Sequence, residues 1–122
     1  MNAIDFTDEA AVKDYIDRVG IEFRFQCFNE ERSDGCHRLA DWLEFAKKDY
    51  PKACRVYKST CDLHGYGHSC FKFGNYAFLG RGLPEPQKKD AAEYYKKGCD
   101  AVEPYAGVSG TIVEIGSLKT PF

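Results

Sequence analysis

Cys27–Cys36, read as CFNEERSDGC, and Cys61–Cys70, read as CDLHGYGHSC, are the stretches that decide the fold. Each holds eight residues between its cysteines, and both cysteines of the second stand 34 positions after those of the first. A period of 34 residues is that of a helix hairpin, so the chain reads as a repeat protein before any single residue is given a role. Each stretch is polar and turn-forming, and each is flanked by apolar residues at helical spacing. The first cysteine of a pair therefore ends one helix, and the second begins the next.

Working outward, Thr7 is expected to cap a helix starting at Asp8–Glu9, with Ala11, Val12, Tyr15, Ile16 and Val19 on one face. Gly20 is expected to stop it, and a second helix then runs from about Ile21 to Asn29. Leu39, Trp42, Leu43 and Ala46 mark an amphipathic helix over 36–48. Pro51 suits the first turn of another, lined by Ala53, Val56, Tyr57 and Cys61. After a turn over Asp62–His68, the cycle restarts with Ser69, Cys70, Phe73, Gly74, Tyr76 and Ala77. Beyond the Gly82–Pro86 loop, Ala91, Tyr95 and Cys99 copy the spacing of Ala53, Tyr57 and Cys61, now 38 residues on, which puts a four-residue insertion in that loop. The expectation is three antiparallel helix pairs stacked in one direction.

Past Asp100 the helical pattern gives way to closely spaced glycines and a β-branched run, Thr111–Ile115. The chain thus divides into a helical repeat domain over 1–101 and a divergent, poorly ordered tail over 102–122.

Three chemistries compete for the paired cysteines. Cysteines facing each other across a short turn come within the Cα separation that a disulfide needs. Closing such a loop stabilises by roughly 2–3 kcal/mol on the chain-entropy account. Zinc is the second reading, because Cys61, His64, His68 and Cys70 form a Cys₂His₂ set. The first loop has no histidine between its cysteines, however, so the shared spacing points to a task that needs none. Reduced, inert thiols are the third reading. Cys54 and Cys99 lack partners. Cys54 reads as a small buried hydrophobe, and Cys99 begins a third pair at the repeat position of Cys61 without completing it.

The composition is 43% hydrophobic and 30% charged, with net charge -2, so no concentrated basic face invites nucleic acid or an anionic membrane. No apolar run reaches transmembrane length. The acidic N-terminal stretch resembles neither a secretory signal nor an Arg-rich matrix presequence. Pairable cysteines without such a signal suit an oxidising compartment reached another way, namely the mitochondrial intermembrane space. There is no Gly-rich phosphate loop and no nucleophile elbow, so a non-enzymatic protein is expected.

The residues Phe73-Gly74-x-Tyr76, Leu79-Gly80-x-Gly82 and Ala91-Ala92-x-Tyr94-Tyr95-Lys96-Lys97-Gly98-Cys99-Asp100 resemble the Sel-1-like repeat, a relative of the tetratricopeptide repeat. The cysteine spacing resembles the subset in which each repeat carries a disulfide, including bacterial proteins once labelled β-lactamases. That label finds little here, the nearest approach to Lys-Thr-Gly being Lys119-Thr120-Pro121. Val12-Lys13, Asp34-Gly35-Cys36, Arg38-Leu39 and Ser69-Cys70 are similar to members that serve respiratory-chain assembly in the intermembrane space.

The resemblance covers about residues 4–103. It implies an all-α, right-handed solenoid of about three repeats, stapled by Cys27–Cys36 and Cys61–Cys70. It implies a scaffold for building complex IV, with assembly-machinery proteins and the oxidative import relay as partners. No cofactor is expected from the residues themselves, although the resemblance leaves haem or copper handling open. The runner-up is a thiol–disulfide oxidoreductase or metallochaperone using a labile Cys61–Cys70 pair, and a generic interaction scaffold stands third. A monomer is expected, with unpaired cysteines as the route to a dimer.

Overall fold

The computed structural model describes residues 5–106, all of whose regular structure is helical. Helix α1 spans Glu9–Arg24 and passes directly into one π-helical turn, Phe25–Asn29. Helices α2 (Ser33–Phe45), α3 (Tyr50–His64), α4 (Gly67–Leu79) and α5 (Lys88–Ala106) follow. Among the described residues there are thus five α-helices rather than the six expected. The main contacts join consecutive helices: α1 with α2, α2 with α3, α3 with α4, and α4 with α5.

The missing helix boundary is at Gly20. The expected stop is instead a buried position inside α1, and the helix runs straight through it. A Cβ at Gly20 would lie 2.2 Å from the Trp42 ring, so glycine is there to let the indole lie on α1. Trp42 Nε1 then donates to the Ile16 carbonyl at 2.9 Å, which anchors α2 on α1. At the start of α1 the cap is Asp8, not Thr7. The Asp8 carboxylate accepts from the Ala10 and Ala11 amides, while the Thr7 hydroxyl donates to Asp5. One position further on, the carboxylate reaches the exposed amides of the first turn, which the hydroxyl does not.

The turns are shorter than the polar sequence suggests. Helix α2 begins at Ser33, ahead of Cys36, and ends at Phe45 rather than Lys48. Asp49 caps α3 by accepting from the Lys52 amide, with Pro51 in the first turn. Helix α3 continues through Cys61 to His64 and stops at Gly65, whose φ of 63° is left-handed and whose amide donates back to Cys61. The reversal between α3 and α4 is therefore only Gly65–Tyr66, not Asp62–His68. At the other end, α5 carries on to Ala106, past the domain boundary expected at 101. The rest of the expected tail lies outside the described residues.

The core runs along the stack through Leu39, Tyr57, Phe73, Tyr76, Ala77 and Tyr94. Tyr57 meets Tyr76 edge-on at 5.4 Å, and Phe73 meets Tyr94 edge-on at 4.6 Å. The copy of Ala53-Tyr57-Cys61 at Ala91-Tyr95-Cys99 is faithful in spacing but not in burial. Tyr57 and Cys61 are buried between α2 and α4, whereas Tyr94 takes the inner place on α5, Tyr95 is half-buried and Cys99 is exposed. Among the described residues no further helix follows α5 to cover its far side.

Candidate functional site

The four paired cysteines lie in the core. Cys27, in the π turn after α1, is disulfide-bonded to Cys36 in α2, with Cα atoms 4.3 Å apart. Cys61 in α3 is bonded to Cys70 in α4, with Cα atoms 4.8 Å apart. Both bonds tie the end of one helix to the start of the next, and all four residues are less than one tenth exposed. Their sulfurs are consequently shielded from an attacking thiolate. Cys54 is free and buried, and burial raises its thiol pKa. Cys99 is free and exposed on α5.

The Cys61, His64, His68, Cys70 set is not assembled as ligands. Joined to each other, the two sulfurs offer no thiolate, and His68 packs against the rings of Tyr66 and His37. Among the described residues, no group of three or more His, Cys, Asp or Glu side chains is placed to hold a metal ion.

Beside the second disulfide lies a polar network that the sequence reading did not find. His37 Nδ1 is 2.7 Å from Ser69 Oγ, and His37 Nε2 is 3.6 Å from Asp41. Asp41 also accepts from the Tyr57 hydroxyl, which reaches Glu44 at 3.1 Å as well. Glu44 in turn binds Lys72 at 2.8 Å. The chain of contacts links α2, α3 and α4.

Its charges are tuned by that setting. Burial lowers the His37 pKa, with Asp41 opposing and His68, Lys72 and Arg38 adding to the shift. For Glu44, burial pushes the pKa up, but hydrogen bonding from Lys72 and the approach of Tyr76 and Tyr57 win, so the carboxyl titrates below its ordinary value. Burial, then the bond to Asp41, drives the Tyr57 phenol far above its usual range.

Ser69, His37 and Asp41 have the composition of a catalytic triad, and Ser69-Cys70-Phe71-Lys72 has the Ser-x-x-Lys spacing of a serine nucleophile with a lysine base. That spacing is legible in the sequence. The structure uses the residues differently. Ser69 is fully buried at the start of α4, closed to any substrate, and the Lys72 ammonium is taken up by Glu44. No sequence signal flags Asp41 or Glu44, because their partners Tyr57 and Lys72 lie 13 to 28 positions away.

The described residues thus make an all-helical fold in which two buried disulfides pin the turn after α1 to α2 and α3 to α4, and a polar network cross-links α2, α3 and α4. No family model matches the chain. Among curated proteins it is similar to "Cytochrome c oxidase assembly factor 7 homolog" of Drosophila melanogaster, at 49% identity over 100 residues, 80% of this chain and 38% of that protein. It is similar to "Cytochrome c oxidase assembly factor 7" of Danio rerio, at 38% identity, and of Homo sapiens, at 34%, each over 97 residues covering 80% of this chain and 42% of the relative. The chain thus spans about two-fifths of the length of the curated relatives it matches.

Proposed function

We propose that this chain supports the assembly of cytochrome c oxidase as a non-enzymatic, disulfide-stapled helical scaffold. The observation that carries the reading is the similarity to proteins named for that role, which extends over four-fifths of the chain. The shielded disulfides favour a structural task over redox turnover, and the buried Ser69 favours a non-catalytic one. In this reading the helices form a Sel-1-like solenoid, each packed on its sequence neighbours, and residues 1–101 make up most of the repeat domain. Its partners are proteins of the respiratory-chain assembly machinery. The intermembrane space is the compartment where the two disulfides would form and persist. No helix among the described residues is long and apolar enough to cross a membrane.

The test is depletion of the endogenous protein, with cytochrome c oxidase activity read beside the other respiratory complexes. The expected result is a selective loss of the oxidase, restored by the full-length protein and accompanied by proximity labelling of oxidase-assembly proteins. An unchanged oxidase would remove the respiratory role and leave a general interaction scaffold. The oxidoreductase alternative makes a different forecast: Cys61–Cys70 would equilibrate in the glutathione range, whereas structural disulfides lie below about -300 mV.

A further inference from the structure

We propose that the groove between α4, the end of α2 and α5 is a binding site for a carboxylate group of a peptide, flanked by an apolar side chain. The groove is an open cavity of about 280 Å³ lined by Glu44, Lys72, Asn75, Tyr76, Arg81 and Tyr95. Phe78 and Leu79, 48% and 60% exposed, complete its lining.

The chemistry follows from the hydrogen-bond donors left unused there. The Arg81 guanidinium lies 5.0 Å from the centre of the Tyr50 ring and 5.8 Å from that of Tyr76, which sets its direction. Its Nη1 pairs with Glu44 at 3.7 Å, an ion pair too long for a hydrogen bond, so the hydrogen-bonding capacity of its planar fork is not used by Glu44. Asn75 accepts at its Oδ1 from the Tyr95 hydroxyl at 2.7 Å, which orients the amide and leaves its NH₂ group without a partner. The Tyr76 hydroxyl, in the same wall, is buried and has no partner in hydrogen-bond geometry, although it faces Glu44 closely enough to lower that carboxyl's pKa.

Charge points the same way. Glu44 is already balanced by Lys72 at 2.8 Å, so Arg81 contributes a surplus positive charge, and Lys88 lies 5.4 Å from the Phe78 ring at the rim. A guanidinium fork beside an amide matches the two oxygens of a carboxylate. The exposed Phe78 and Leu79 would be wasted on a small free acid, but they suit the apolar neighbour of a carboxylate within a peptide. The inference deepens the scaffold reading and rests on it only in taking the partner to be a protein.

The test uses the oxidised, full-length chain and fluorescence anisotropy with three short labelled peptides. One is end-blocked with a single glutamate among leucines, the second is its end-blocked glutamine twin, and the third is the glutamine peptide with a free C-terminus. A carboxylate-bearing peptide is expected to bind about tenfold or more tightly than the blocked glutamine twin. Arg81→Gln should abolish that difference without moving the melting temperature, and Asn75→Leu should reduce it. Which of the two carboxylate peptides binds tells a side-chain from a chain-terminal source. Equal binding of all three, no binding, or an unchanged preference in Arg81→Gln would overturn the proposal. Restoration of oxidase in depleted cells reads the assembly role separately, so either idea can fail alone.

Discussion

The two disulfide turns share a spacing and almost nothing else. Around Cys27–Cys36 the chain reverses by widening α1 into a π turn, with the Glu30 amide bonding back to Phe25 and that of Arg32 to Gln26. Glu31 completes this reversal with a left-handed φ of 53°, a conformation that costs a residue with a Cβ. Its charges, Arg32 and Arg38 on Asp34, lie on the surface. They hold the Asp34 carboxyl well below the ordinary range, yet solvent screening leaves such pairs little net worth. Around Cys61–Cys70 the reversal takes only Gly65 and Tyr66, and the neighbours are the buried Ser69 and the largely shielded His37, with the more open Asp41 beside them. Equal spacing fixes the loop that a disulfide closes. The surroundings determine what else is lost when it opens.

Removing each disulfide tests that comparison most forcefully. The paired substitution Cys61→Ala/Cys70→Ala should cost about 3–5 kcal/mol in oxidised-protein denaturation, against roughly 2–3 kcal/mol for Cys27→Ala/Cys36→Ala. The common part is loop closure. The excess comes from loosening α3 and α4, which carry the buried network and the contacts to α5. Equal losses would mean that position in the stack is immaterial.

The backbone of the turns should respond with opposite signs. Gly65→Ala has open space for its Cβ, so it should lose only the left-handed penalty, about 1–2 kcal/mol. Glu31→Gly should gain about 0.5–1 kcal/mol by relieving the same penalty, less the added freedom of the unfolded chain. Thermal melts of the two variants check this, and a loss from Glu31→Gly would show that its side chain matters more than its φ.

The smallest effect is the pH response. Because the folded pKa of His37 lies below 6.5, the unfolded chain takes up this proton first. Its contribution to stability is therefore complete above about pH 6.5 and is lost as pH falls toward the folded pKa. His37→Gln should flatten this slope in melting temperatures between pH 7.5 and 5.5. The charged and titratable groups facing it (Asp41, His68, Lys72 and Arg38) remain in the variant, so an unchanged slope would show that His37 is not its source. No comparable slope near neutrality belongs to the first turn, where Arg32 and Asp34 keep their charges.

Much of the helical layout was legible because its signals are local. The periodic apolar faces located α2, α3, α4 and the start of α5. What misled was punctuation. Gly20 has the sequence look of a helix stop, but whether a glycine ends a helix or admits a neighbouring ring depends on Trp42, 22 positions away. The segment 62–64 reads as turn and is helix, because the α3 hydrogen bonds continue until Gly65 takes the left-handed conformation. In the candidate site the Ser69–Lys72 spacing was visible. The direction of those side chains, toward His37 and Glu44, was not.

By itself, the sequence determined the 34-residue spacing of the two cysteine pairs and most of the helix-bearing segments, since periodicity and short loop closure depend on near neighbours along the chain. Only the tertiary structure decided which of two like-spaced residues is inside. It buried Tyr57 and Cys61 between two helices, and left their copies Tyr95 and Cys99 half-buried and exposed on α5. It also gathered Arg81, Asn75 and Tyr76 around one cavity. Burial and convergence are made by helices distant in sequence, and no local pattern encodes them.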